Sequence, residues 1–174
     1  MSNTQPSSIP PGYTSDEDRA LRMLTYGCYV ISAVDEAGAP QASTVAWVSQ
    51  ASFSPPLAMI AVHSEGSLCK AIDASEQFAV NIMGEDQVDL AEHYIRRATY
   101  VPADADEFEA GAIGVPILKA APSCLECQVV GKLTGGDHTI FVGRVDAGDV
   151  RDDTARPLML ADTPWVYAGL AGRE

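Results

Sequence analysis

Five hydroxyls and an amide fall within the stretch Ser43-Thr44-Val45-Ala46-Trp47-Val48-Ser49-Gln50-Ala51-Ser52-Phe53-Ser54-Pro55-Pro56, an unusual load for a strand that is simply core. Small side chains beside hydroxyls let a flat ring approach the backbone, whose N–H groups then bond ring heteroatoms. The plainer account is a half-exposed strand with a polar outer face. A second cluster, His63-Ser64-Glu65-Gly66-Ser67-Leu68-Cys69-Lys70, sits where a strand gives way to a helix. A helix N-terminus presents unpaired N–H groups and partial positive charge, so a phosphate settles there, with Ser67 adding a hydroxyl and Lys70 a formal charge. The plainer account is a Ser-capped surface helix. Third, Gly135-Gly136-Asp137-His138 forms a turn leading into a strand. His138 is either a solvent-exposed turn residue or a group that bonds a nicotinamide or relays a proton, a task imidazoles suit.

The elements that must position these groups follow from patterning. Ser15 reads as an N-cap, with Asp16, Glu17 and Asp18 in the first turn and Ala20, Leu21, Met23 and Leu24 on one apolar face. Strands are expected over 29–34, 41–52, 57–62, 78–82, 125–133, 139–145 and 165–170. Turns are expected at Asp35–Gly38 and Thr134–Asp137. Pro55-Pro56 should end pairing, since neither residue donates a ladder bond. A short helix is expected between Ser64 and Ser75. Another carries Val88, Leu90, Ala91, Tyr94 and Ile95 inward, and 102–116 reads as loop. Helices do not alternate with strands, so the chain is mainly β, an antiparallel barrel with covering helices.

Bulk properties narrow the function. At 174 residues the chain is one domain, 15–174, preceded by a flexible Ser/Pro/Gly-rich N-terminal arm, 1–14. A net charge of −13 disfavours nucleic acid and anionic membranes as partners. No apolar run approaches the ~20 residues of a membrane span, and the N-terminus has no signal-like core, which points to the cytoplasm. Four cysteines are few for a disulfide scaffold. Cys124-Leu125-Glu126-Cys127 spells C-x-x-C. Residues three apart on a strand face opposite ways, however, and no second pair completes a zinc site, so buried thiols and no metal are expected. His93 reads as a surface or packing residue.

The order of segments carries more than any one of them. TVAWVSQASFSPP (44–56), the Ser67/Lys70 helix start, FAVNIMGEDQ (78–87), GVPIL (114–118), LEC (125–127) and GDHTIFVGRV (136–145) follow in sequence. LRMLTYGCYVISA (21–33) and PLMLADTPWVYAGL (157–170) stand at the two ends. Together they resemble the flavin reductase-like family of FMN-binding split barrels, and the central run is also similar to the flavin reductase module of some flavodiiron proteins. The resemblance implies a six-stranded antiparallel FMN-binding split β-barrel, usually a homodimer. It implies an NAD(P)H:flavin oxidoreductase that uses FMN, or FAD, with NADH or NADPH as co-substrate and, in many members, a partner monooxygenase. The alternative within the same fold is an FMN-binding electron-transfer or flavin-carrier protein without NAD(P)H turnover. Carried over residue by residue, Thr44, Val45, Ala46 and Trp47 edge the isoalloxazine. Ser49, Gln50, Ala51, Ser52 and Phe53 contact the ring and ribityl chain. His63, Ser67 and Lys70 hold the phosphate, Asn81 faces the site, and His138 and Tyr167 line the nicotinamide side. Two departures stand out: Glu65 would repel a phosphate if it pointed inward, and Tyr167-Ala168-Gly169 stands where many members have Tyr-Gly-Gly.

Overall fold

The computed structural model describes residues 15–97 and 105–165. The expected arm 1–14, the expected strand beyond Trp165 and Tyr167 lie outside the described residues. Ser15 caps α1 (Asp16–Leu21) through a capping box, its Oγ accepting from the Asp18 N–H at 3.2 Å. The apolar face is present but uncovered: α1 buries no residue, and Met23 just beyond it is 84% exposed.

Among the described residues nine strands follow, with two more α-helices. They are β1 (Tyr29–Val34), β2 (Pro40–Val45), β3 (Val48–Phe53), β4 (Pro56–His63), α2 (Ser67–Ser75), β5 (Gln77–Ile82), α3 (Val88–Arg97), β6 (Phe108–Ala110), β7 (Pro116–Leu118), β8 (Ser123–Thr134) and β9 (His138–Val150). Seven strands form one antiparallel sheet in the order β2-β1-β5-β8-β9-β4-β3, and β6-β7 form a separate pair. The architecture is therefore mainly β with flanking helices, and the main sheet has seven strands where the family resemblance implies six.

Three differences from the sequence reading have clear causes. The single long strand expected over 41–52 is two strands, β2 and β3, separated by Ala46-Trp47 and lying at opposite edges of the sheet. Alternation continues through the break, so periodicity alone could not reveal it. Pro56 does not end pairing; it opens β4 opposite Phe53, at the end of a hairpin where no donor is required. The expected loop 102–116 holds β6, which pairs with β7 over only three residues, too short for a period to show.

The β2–β3 link also fixes the sheet's shape. Seven strands laid flat would put its edges roughly 29 Å apart at ~4.8 Å per strand, whereas Val45 and Val48 are three Cα steps apart, at most ~11 Å. The sheet must roll. It is not closed by hydrogen bonds, since β2 and β3 each pair on one side only among the described residues.

The rolled inner face packs on α2, with Ile31, Ile60, Ile72, Phe78 and Phe141 at its centre. On the outer face α3 covers β1 through Val30, Met83, Ala91 and Tyr94, while β7 covers β5 and β8 through Ile117, Ala79 and Cys124. Segment 156–160 runs across the ends of β1 and β5, its Leu158 N–H donating to the Met83 carbonyl at 2.8 Å. The β1–β2 turn is held by Asp35, whose carboxylate accepts from the Ala37 and Ala39 N–H groups at 2.9 Å. Those bonds, that to Ala39 first, hold its pKa below the usual carboxylate value. Gly38 there takes φ +82°, the left-handed region that favours glycine.

Candidate functional site

Two turns meet at one rim of the rolled sheet. β4 ends at His63, opposite His138 at the start of β9, so strand register places the two histidines side by side. Their rings meet edge to face with centroids 5.5 Å apart. The β2–β3 link brings Trp47 to the same place, its ring 4.6 Å from that of His138 and tilted by 53°. The Trp47 carbonyl accepts from the Ala61 N–H of β4 at 2.9 Å, which fixes the link against the strand.

Backbone and side-chain bonds lock the turns together. The Ser64 N–H donates to the Asp137 carbonyl at 2.9 Å, and the hydroxyls of Ser64 and Thr139 lie 2.9 Å apart. His138 Nδ1 sits 2.7 Å from Asp137 Oδ1. With a carboxylate as partner, Nδ1 carries the proton, leaving Nε2 for a ligand. The bond to His138 holds the Asp137 carboxyl below its usual pKa. In His63, Nδ1 accepts from the Glu65 N–H at 3.3 Å, so the neutral ring carries its proton on Nε2.

Directly beyond this cluster α2 begins. Its N-cap is Gly66, with no side-chain cap and no acidic residue in the first turn, whereas α1 has three acids there. The Gly66 N–H donates to the His63 carbonyl at 3.0 Å, which sets the helix one turn past His63. The first N–H groups of α2 therefore lack a side-chain cap, and no acid within the first turn offsets their partial positive charge. Lys70 follows in the next turn. Among the lysines and arginines whose side chains are described, it alone makes no ion pair or side-chain hydrogen bond. Glu65, just before the helix, is exposed, and its charge is felt at Cys69 in the first turn.

Not every expected residue joins the cluster. Trp47, His63, His138, Ser67 and Lys70 lie at or next to it. The Thr44 side chain turns the other way, its Oγ1 donating to the Ala91 carbonyl of α3 at 2.6 Å, so only its backbone remains for a ring. Val45 packs into the inner core, and Ala46 is half-buried in the link. Ser49, Gln50 and Ala51 are exposed on the free edge strand β3, with a register shift at Ala51. Ser52 and Phe53 pair with Leu57 and Pro56 at the far end of β4, about 20 Å from His63 at ~3.3 Å per residue. Phe53 is 89% exposed.

Asn81 is turned into the fold. It is 0% exposed, and its amide is consumed within the fold: Nδ2 donates to the Val30 carbonyl at 2.8 Å and to Ser32 Oγ at 2.9 Å, while Oδ1 accepts from the Leu118 N–H at 2.8 Å. Its polar character serves the β5–β7 junction. Conversely, Asp137, Ser64 and Thr139 join the site, a role their residue types alone do not predict. Their signal was adjacency to His63 and His138, which becomes legible only once β4 and β9 are in register.

All four cysteines are buried and free. Cys124 and Cys127 lie in different clusters on opposite faces, as strand alternation requires. Burial first, then nearby carboxylates, pushes Cys127 up to about 12 and Cys28 up to about 11 from 9.0. Native protein should therefore be inert to a thiol-titrating disulfide reagent, and denatured protein should react at all four positions. Because the folded pKa values are raised, the contribution of the neutral thiols to stability is complete below pH 9.0. It is lost as pH rises through about 11 and about 12.

Known proteins bear on the same geometry. The family described as the flavin reductase like domain matches residues 21–168. The chain belongs to the flavin reductase-like family. This flavin reductase-like chain is similar to the NADH-dependent FMN reductase of Streptomyces nodosus subsp. asukaensis, 33% identical over 152 residues, covering 86% of this chain and 81% of that protein. Among solved structures it is similar to the styrene monooxygenase flavin reductase of Pseudomonas putida S12, at 28% identity and TM-score 0.71 over 83% of this chain and 91% of that one. It is also similar to an NADH:FAD oxidoreductase of Streptomyces globisporus, at 26% identity and TM-score 0.72 over 86% and 93%.

Proposed function

We propose that this chain is an NAD(P)H-dependent flavin reductase that takes FMN, or FAD, and passes reduced flavin to a partner monooxygenase. The observation that carries the reading is the meeting of an uncapped, acid-free helix start with the Trp47–His63–His138 cluster at one rim of the sheet. The residues present suit a flavin. A phosphate needs unpaired N–H groups and a cation, and α2 with Ser67 and Lys70 supplies both. A flat heterocycle needs exposed backbone beside small residues, and the unpaired edge of β3 from Ser49 to Ala51 offers it. The flavin and nicotinamide carry the hydride chemistry themselves.

The protein's part is positioning. Trp47 gives a flat apolar wall that keeps water from the stacked rings, and His138 Nε2, aimed by Asp137, bonds the polar edge of a nicotinamide. Tyr167 stays a proposed contact on the same side. The same proposal reads the rolled seven-stranded sheet as a form of the family's six-stranded split barrel, with β2 and β3 at the split. A homodimer is part of the same proposal, and the uncovered apolar residues Leu21, Met23 and Leu24 support it. The reaction belongs in the cytoplasm, where buried thiols stay reduced. Among the described residues no helix is long and apolar enough to cross a membrane. Oxidation of NADH or NADPH dependent on added flavin tests this reading.

A further inference from the structure

Lys70 makes no ion pair, although a carboxylate stands close by on its own helix. Asp73 lies three residues further along α2, within reach of an i,i+3 lysine–aspartate pair. Side chains on a helix lean toward its N-terminus, so Asp73 leans toward Lys70 and Lys70 toward the helix start. Yet Asp73 is taken from outside the helix. Lys132, on β8, donates to both carboxylate oxygens, at 2.6 and 2.7 Å. Lys132 is itself held over the Phe141 ring of β9, 5.5 Å from the centroid.

We propose that Lys132 is a positioning residue for flavin phosphate: by occupying Asp73, it keeps the Lys70 ammonium at the start of α2 available to a dianion. The inference rests on the phosphate reading of α2 given above. In a chain of net charge −13 an unoccupied carboxylate on the phosphate-binding helix would both compete for Lys70 and repel the ligand. Lys132 removes both effects without touching the ligand.

The test is titration of FMN and of riboflavin, which lacks the phosphate, into wild-type protein, Lys70→Met, Lys132→Met, Asp73→Asn and the Lys132→Met/Asp73→Asn double variant. Binding is followed by flavin fluorescence at low salt. The pair is part-exposed, with side chains 44% and 43% accessible, so all variants should fold, and melting curves check this. Lys132→Met should weaken FMN about threefold, a size set by exposed charge pairs, and leave riboflavin unchanged. Asp73→Asn should not weaken FMN, and the double variant should bind it as wild type does. The Lys132→Met effect should vanish at high salt. Two results overturn the inference: a double variant as weak as Lys132→Met, which would mean that Lys132 contacts the phosphate itself or that the clamp is structural, or no effect of Lys132→Met. If Lys70→Met selectively weakens FMN while Lys132→Met does not, the inference alone fails. If Lys70→Met leaves the FMN-to-riboflavin ratio unchanged, the phosphate reading fails with it.

Discussion

Replacing His138 with alanine should lower kcat/KM for NADH about 30-fold while changing FMN affinity less than about twofold, since one well-aimed hydrogen bond is worth roughly 2 kcal/mol. The ring is held on three sides, by Asp137 at Nδ1, the Trp47 ring at 4.6 Å and the His63 ring at 5.5 Å, which leaves Nε2 for a ligand. Deleting it removes the aimed donor or acceptor and one wall of the ring slot, and neither loss touches the α2 N-terminus. Stability should hardly move, because His138 is only half-buried at a strand end. Stopped-flow reduction of flavin by NADH, with flavin binding measured separately, checks both halves. Equal losses in FMN affinity and in NADH reactivity would place His138 on the flavin rather than the nicotinamide side. An unchanged kcat/KM would remove it from the site.

The second large effect is structural. Asn81→Leu should lower stability by about 3 kcal/mol, chiefly because the buried Leu118 N–H loses its partner and the Val30–Ser32 side of the network loses a donor. For a domain of this length that corresponds to roughly 8 °C in melting temperature. Asn81 also joins β5 to β7, and Ser32 Oγ reaches the Pro116 carbonyl beside it at 2.6 Å, so the small sheet should loosen first. Thermal unfolding followed by circular dichroism measures the loss. A shift below about 2 °C would show that the amide's three bonds are replaceable. Flavin affinity at low temperature should be unaffected, which separates this role from the ligand contact that sequence alone suggested.

Legibility in the sequence followed the range of the interactions. The capping box at Ser15, the Asp35–Gly38 turn and the Gly135–Asp137 turn are local, and each forms where the residue types require it. Strands β1, β4 and β5 were legible because apolar runs bounded by turn residues are short-range signals as well. The β2–β3 break was not, because Ala46-Trp47 carries no turn chemistry; only the pairing of β3 with β4, and not with β2, reveals it. At the site, Trp47, His63 and His138 could be named one by one, but their mutual contact depends on register between strands some seventy residues apart. Thr44 and Asn81 show the converse. A polar residue in a strand looks the same in sequence whether it bonds a ligand or a neighbouring carbonyl, and here both bond the fold.

The central claim is that NAD(P)H reduces flavin on this chain, and anaerobic loss of NADH or NADPH absorbance with FMN, then FAD, added tests it most directly. The account predicts oxidation that requires both protein and flavin, with a preference for one nucleotide. Flavin that binds and is reduced by dithionite, yet promotes no oxidation of either nucleotide, would contradict it and leave an electron carrier in the same fold.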